Sequence, residues 1–207
     1  GADTIDGNGG ADVISAGAGA DVVTIHGTEA SVEGGSGSDT LVVSAGSAIS
    51  AVNFAVVAGT DQTSGDTVVI TNFENLDAGA LATALTVTGS SVANTILTGA
   101  GNDIVDGGGG ADVINTGAGD DTVTYYGTEA TINAGTGVNT LAMRTATDID
   151  LGHVDQTVGD AVTVSNFQNV DASLLGSAQG IDILGSGVAN IITGGAGSLG
   201  LASAKLF

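Results

Sequence analysis

A period of nine constrains this chain more than any other feature. One position recurs at Asp3, Asp12, Asp21, Ala30 and Asp39, and again at Asn94, Asp103, Asp112, Asp121, Ala130 and Asn139. Two residues after each stands an aliphatic: Ile5, Ile14, Val23, Val32 and Leu41, then Ile96, Val105, Ile114, Val123, Ile132 and Leu141. Glycines crowd the positions before each acid. Three residues centred on the aliphatic make a short strand with one side chain inward, while the glycine-rich remainder makes a turn whose backbone angles glycine adopts at little cost. Two nonapeptides then close one flattened coil of about eighteen residues. No single coil buries its own apolar face, so the fold must come from stacking coils into a solenoid.

Stacking brings residues eighteen apart into register. It places Asp3 over Asp21 over Asp39 on one edge, and in the second module Asn94 over Asp112 on one edge and Asp103 over Asp121 over Asn139 on the other. Carboxylates separated by the roughly 5 Å between neighbouring strands repel unless something lies between them. Composition sharpens the point, because 23 acidic residues face only two basic ones, Arg144 and Lys205, for a formal charge of −21. A nucleic-acid partner is excluded by that charge, and folding is expected to require either very high salt or bound cations. A hard cation in a shell of carboxylate and carbonyl oxygens fits, and calcium tolerates such flexible shells of roughly six to eight oxygens. The chain has no cysteine, so metal takes the place disulfides hold in many secreted folds. No run of residues is apolar enough for a transmembrane segment.

Gly34-Gly35-Ser36-Gly37-Ser38-Asp39-Thr40-Leu41-Val42 and Gly107-Gly108-Gly109-Gly110-Ala111-Asp112-Val113-Ile114-Asn115 resemble, at every fixed position, the G-G-x-G-x-D-x-U-x nonapeptide of the hemolysin-type RTX family. The resemblance implies an all-β, right-handed parallel β-roll or β-helix solenoid with stacked calcium sites, several Ca2+ ions lying between turns two nonapeptides apart. It also implies a secreted or cell-surface bacterial protein exported by type I secretion. Ligand roles carry over to Asp3, Asp12, Asp21, Asp39, Asp103, Asp112 and Asp121. Asn94, Asn139 and Asn190 keep an oxygen but lose the charge, so their sites are expected to be weaker or empty.

The chain is also duplicated at a larger scale. Residues 10–43 match 110–143, 61–77 are echoed by 155–171, and 89–101 by 185–197. The expected organisation is a first module over 1–97, a second over 98–197 and a non-repeat tail over 198–207. Both modules break the acid column at the same place, Thr28-Glu29-Ala30 and Thr128-Glu129-Ala130, which predicts a metal-free coil unless the glutamate reaches across. Residues 43–88 and 143–184 lack the glycine motif but keep β character and are expected to form wider coils. Phe73 and Phe167 are expected to fill their core, with Asn75 and Asn169 as an internal ladder. Asp61, Asp66, Asp155 and Asp160 read as solvated turn acids, and Asp77 and Asp171 as candidates for an additional site.

His26 and His153 occupy unrelated positions in the two modules, and no nucleophile arrangement accompanies either. The expected function is therefore structural and not enzymatic: an S-layer, filament or adhesin segment, rigidified by calcium. Two other classes fit the same residues, an accessory module of a secreted protease, lipase or epimerase, and an ice- or carbohydrate-binding solenoid. The chain opens in mid-repeat at Gly1-Ala2-Asp3, which reads as an excised or processed piece. Head-to-tail self-association through exposed repeat ends is expected.

Overall fold

Wherever an aliphatic of the nine-residue period stands, the chain makes a strand of three or four residues. The first run gives Thr4–Asp6, Val13–Ser15, Val22–Ile25, Ser31–Glu33 and Thr40–Val43. The computed structural model describes residues 1–176, 179–196 and 199–201, and among these every regular element is a β-strand. Pairing is parallel with the predicted register. Ile5 lies beside Val23 and Val23 beside Leu41, while Ile14 lies beside Val32 on the opposite face.

Face one stacks Thr4–Asp6, Val22–Ile25, Thr40–Val43, Asn75–Asp77, Thr95–Leu97, Val113–Asn115, Thr131–Asn133 and Thr163–Ser165 in that order. Face two begins with Val13–Ser15, Ser31–Glu33 and Val69–Thr71. It resumes at Ala51–Asn53 and runs through Thr86–Thr88, Ile104–Asp106, Thr122–Tyr125, Thr140–Met143 and Asn169–Asp171 to Ile192–Thr193. Their central side chains meet between the faces as two aliphatic columns, and Val23, Leu41, Ile96, Val105, Ile114, Val123, Ile132 and Leu141 are all fully buried. Each contributes about 1.5–3 kcal/mol of apolar burial. Phe73 and Phe167 also lie in this core.

The segments expected as wider parallel coils do something different, because the chain there reverses. Ala51–Asn53 turns back into Thr63–Ser64 as an antiparallel partner, and the next strand, Val69–Thr71, returns to stack on Ser31–Glu33. One pass across face two is thus replaced by three. Two features hold the reversal. Asp61 Oδ1 accepts the backbone N–H of Thr63 and of Ile70, both at 3.1 Å, occupying the ladder position that a regular strand would fill. Gln62, buried between the strands, accepts the Phe73 N–H at 2.8 Å and donates to the Phe73 carbonyl at 2.9 Å. The second copy repeats the device: Asp148–Asp150 pairs antiparallel with Thr157–Val158, Asp155 Oδ1 accepts the Val164 N–H, and Gln156 clamps Phe167. Asp61 and Asp155 are therefore braces and not simply solvated acids. Asn75 and Asn169 lie in different faces and form no common ladder. Asp77 and Asp171 each accept the N–H two residues on, from Gly79 and Ser173, closing a local turn.

The two copies sit on opposite faces. Ile14 belongs to face two and its counterpart Ile114 to face one. The first three-pass excursion widens face two and the second widens face one, where Gln156 N–H donates to Val164 O and joins Thr157–Val158 to the stack. Strand pairing runs unbroken across residues 97 and 98, with Thr95–Leu97 hydrogen-bonded on both sides. Of the expected tail, residues 198 and 202–207 lie outside the described residues. Leu199–Leu201 adds a parallel strand to Ile181–Leu184.

Candidate metal centre

Each acid of the period sits at the end of a glycine turn, just before its strand, where the turn above and the turn below meet. In five of them one carboxylate oxygen is used by the backbone. Asp21 Oδ1 accepts the N–H of Asp3 at 2.7 Å and Asp39 Oδ1 that of Asp21 at 2.8 Å. On the later coils Asp103, Asp112 and Asp121 accept the N–H groups of Leu85, Asn94 and Asp103, each at 2.8 Å. These bonds join coils eighteen residues apart and orient each carboxylate. Asp21, Asp39, Asp103, Asp112 and Asp121 are essentially inaccessible to solvent; Asp12 is half-buried and Asp3 exposed.

The second oxygen has nothing to bind. Oδ2 of Asp12, Asp21, Asp39, Asp103, Asp112 and Asp121 is buried without a hydrogen-bond partner among the described residues. Leaving an ionised oxygen unpaired in the interior costs several kcal/mol, and burial raises the carboxyls of Asp112 and Asp103. Asp112 is pushed up to about 6, mainly by desolvation with the charges of Glu129 and Asp106 adding. Around these oxygens the turns are packed backbone to backbone. A Cβ on Gly107 would approach Asp112 Oδ2 to 2.7 Å, and one on Gly117 or Gly135 would collide with the carbonyl oxygen of Gly99 or Gly117. At Gly34 the two kinds of oxygen come together, a Cβ there lying 2.2 Å from the Asn72 carbonyl oxygen and 3.1 Å from Asp39 Oδ2. Among the described residues no three acidic, His or Cys side chains converge as a metal-binding group. A site built from one carboxylate oxygen and turn carbonyls would offer hard oxygen donors alone, the chemistry calcium takes.

The asparagines are arranged differently. Asn139 Oδ1 accepts the Asp121 N–H at 2.9 Å, and its Nδ2 donates to the carbonyls of Ala134 and Asn166, both at 3.0 Å. Asn94 and Asn190 accept the N–H of Ser90 and Ser186 and donate to the carbonyls of Glu74 and Gln168. Their amide nitrogens supply donors internally. Glu29 and Glu129 also satisfy themselves. Glu29 accepts the N–H groups of His26, Gly27 and Thr28 at 2.8, 2.9 and 3.0 Å, and Glu129 those of Tyr126, Gly127 and Thr128. In these two turns amides face a carboxylate, where a cation would need carbonyls.

Two features carry signals that periodicity does not reveal. Glu74 Oε2 accepts the Asp39 N–H at 2.8 Å, continuing the acid ladder outside the nonapeptides, and burial raises its carboxyl. Asp66 Oδ2 and Ser47 Oγ are buried without a partner among the described residues, whereas their counterparts Asp160 and Thr147 both bond the Tyr125 hydroxyl. Comparing the two copies position by position would expose both, since Glu74 pairs with Gln168 and Ile25 with Tyr125.

Fold and site together define a calcium-binding repeat solenoid. The family model described as the RTX calcium-binding nonapeptide repeat matches in four copies, over residues 1–24, 31–47 and 88–123; the chain carries RTX calcium-binding nonapeptide repeats. Neither a curated protein nor a solved structure matches it. The gap in the family match at 25–30 falls on the turn where Glu29 bonds backbone amides, and the match ends before the coil containing Asn139.

Proposed function

We propose that this chain is a load-bearing segment of a secreted bacterial surface structure, an S-layer, filament or adhesin, whose β-roll forms only when calcium fills its turns. The observation that carries the reading is the set of six period aspartates whose Oδ2 is buried and unpaired among the described residues, five of them, Asp21, Asp39, Asp103, Asp112 and Asp121, also bonding the neighbouring coil through Oδ1. With only two basic residues in the whole chain, protein cations are too few to neutralise them. Asp12, Asp21, Asp39, Asp103, Asp112 and Asp121 act as ligands with the turn carbonyls, and Asp3 contributes from the exposed end. Asn94, Asn139 and Asn190 substitute an amide donor for an ion. A solenoid stacked by repetition suits a spacer or lattice element, because length is added without changing the core. Calcium-strengthened self-association belongs to the same reading.

The test is a calcium titration of metal-free protein at physiological salt, followed by far-ultraviolet circular dichroism and light scattering. β-Structure should appear cooperatively at millimolar or lower calcium, with several ions bound per chain and particle mass rising above the monomer. Full β-structure without calcium would refute the folding role, and a constant monomer mass at millimolar calcium would refute assembly.

A further inference from the structure

We propose that one calcium ion is held where the last nonapeptide of the first copy meets the return turn Asn72-Phe73-Glu74, and that the equivalent joint of the second copy is closed without metal. The proposal rests on the calcium reading above and extends it outside the nonapeptide pattern.

The two joints share the bonds that set the decisive atom. In the second copy Asn139 Oδ1 accepts the Asp121 N–H at 2.9 Å, and the Asn139 N–H donates to Gln168 Oε1 at 2.7 Å. In the first, Asp39 Oδ1 accepts the Asp21 N–H at 2.8 Å, and the Asp39 N–H donates to Glu74 Oε2 at 2.8 Å. Asn72 and Asn166 both adopt positive φ, 59° and 68°, so the return turn has the same shape. Asn139 Nδ2 then bridges the carbonyls of Ala134 and Asn166 at 3.0 Å each.

At the corresponding point of the first copy stands Asp39 Oδ2, in a side chain with 0% exposure and with no partner among the described residues. The matching carbonyls belong to Gly34 and Asn72. A Cβ on Gly34 would lie 3.1 Å from Asp39 Oδ2 and would collide with the Asn72 carbonyl oxygen, which places that carbonyl beside the free carboxylate oxygen. An amide donor has been exchanged for an acceptor, so the Asn72 carbonyl oxygen is met by a carboxylate oxygen and not by an N–H. The neighbouring residue changes in step: Glu74 is charged where Gln168 is neutral. Two negative charges and converging carbonyls call for a divalent cation with oxygen preference, whereas two amides call for none.

The experiment exchanges the joints. D39N/E74Q should fold in calcium and bind one ion fewer per chain than wild type, measured by equilibrium dialysis and atomic absorption. N139D/Q168E should bind one more. An unchanged ion count in folded D39N/E74Q, or in folded N139D/Q168E, overturns the proposal while leaving the other repeat sites standing. Wild type binding no calcium at all overturns the underlying reading as well. Should D39N/E74Q not fold, the ion count of N139D/Q168E decides.

Discussion

Acid should partly replace calcium. In the metal-free fold burial pushes the Asp112 carboxyl from its ordinary 3.8 up to about 6, and burial raises Asp103 in the same direction. The folded state therefore holds protons that the unfolded chain has already released. Its cost is fully present above about pH 6, is relieved as pH falls through the window between 6 and 3.8, and is absent below it. At about 1.4 kcal/mol per pH unit, Asp112 alone accounts for on the order of 1–3 kcal/mol, the lower figure allowing for solvent screening. That is a large share of a marginal domain's stability. Metal-free protein examined by circular dichroism and urea unfolding should gain β-structure between about pH 7.5 and pH 5, and Asp112→Asn should show a smaller gain. Calcium-loaded protein should move the other way, since protons compete with the ion for the same oxygens. A metal-free spectrum flat across this range, or a gain undiminished in Asp112→Asn, would refute the reasoning.

Two further substitutions test the structure away from the ions. Gln62→Leu removes both bonds to the Phe73 backbone and leaves a buried N–H and C=O unpaired, so a loss of about 2–5 kcal/mol is expected by denaturant unfolding in calcium. Ile25→Tyr recreates the second copy's arrangement, in which the Tyr125 hydroxyl bonds Asp160 and Thr147; it should donate to Asp66 and raise stability by about 1–3 kcal/mol, while Tyr125→Phe lowers it by a similar amount.

The coil and its register were legible because a nine-residue period states them directly: once Ile5, Ile14 and Val23 are recognised as inward positions, the pairing of residues eighteen apart follows. The acid positions were legible for the same reason. What escaped was everything decided by contacts between segments without a period. Thr63–Ser64 is a two-residue strand with no alternation to announce its reversal, and the two residues that secure it, Asp61 and Gln62, look like ordinary turn polars until Phe73 and Ile70 are brought beside them. Glu74 escaped because it stands 35 residues from Asp39, off the nine-residue grid. The chain did carry one usable signal. Asp39 and Glu74 become Asn139 and Gln168 together, and a paired change between duplicated copies reports a shared environment.

The half-coil offset between the copies has a mechanical consequence. In a regular roll one pass on each face alternates, so both faces grow at the same rate. Here the segment from Ala51 to Thr71 places three strands on face two where one belongs, and the surplus pair adds about 10 Å to that face at the spacing of neighbouring strands. A face lengthened in this way forces the coil axis to lean toward the shorter one. Had the second copy repeated in phase, the surplus would accumulate and a long array would curl. Because an odd number of passes separates Ile14 from Ile114, the second surplus, Asp148–Asp150 to Thr163–Ser165, falls on face one instead. Two copies therefore contribute equally to both faces.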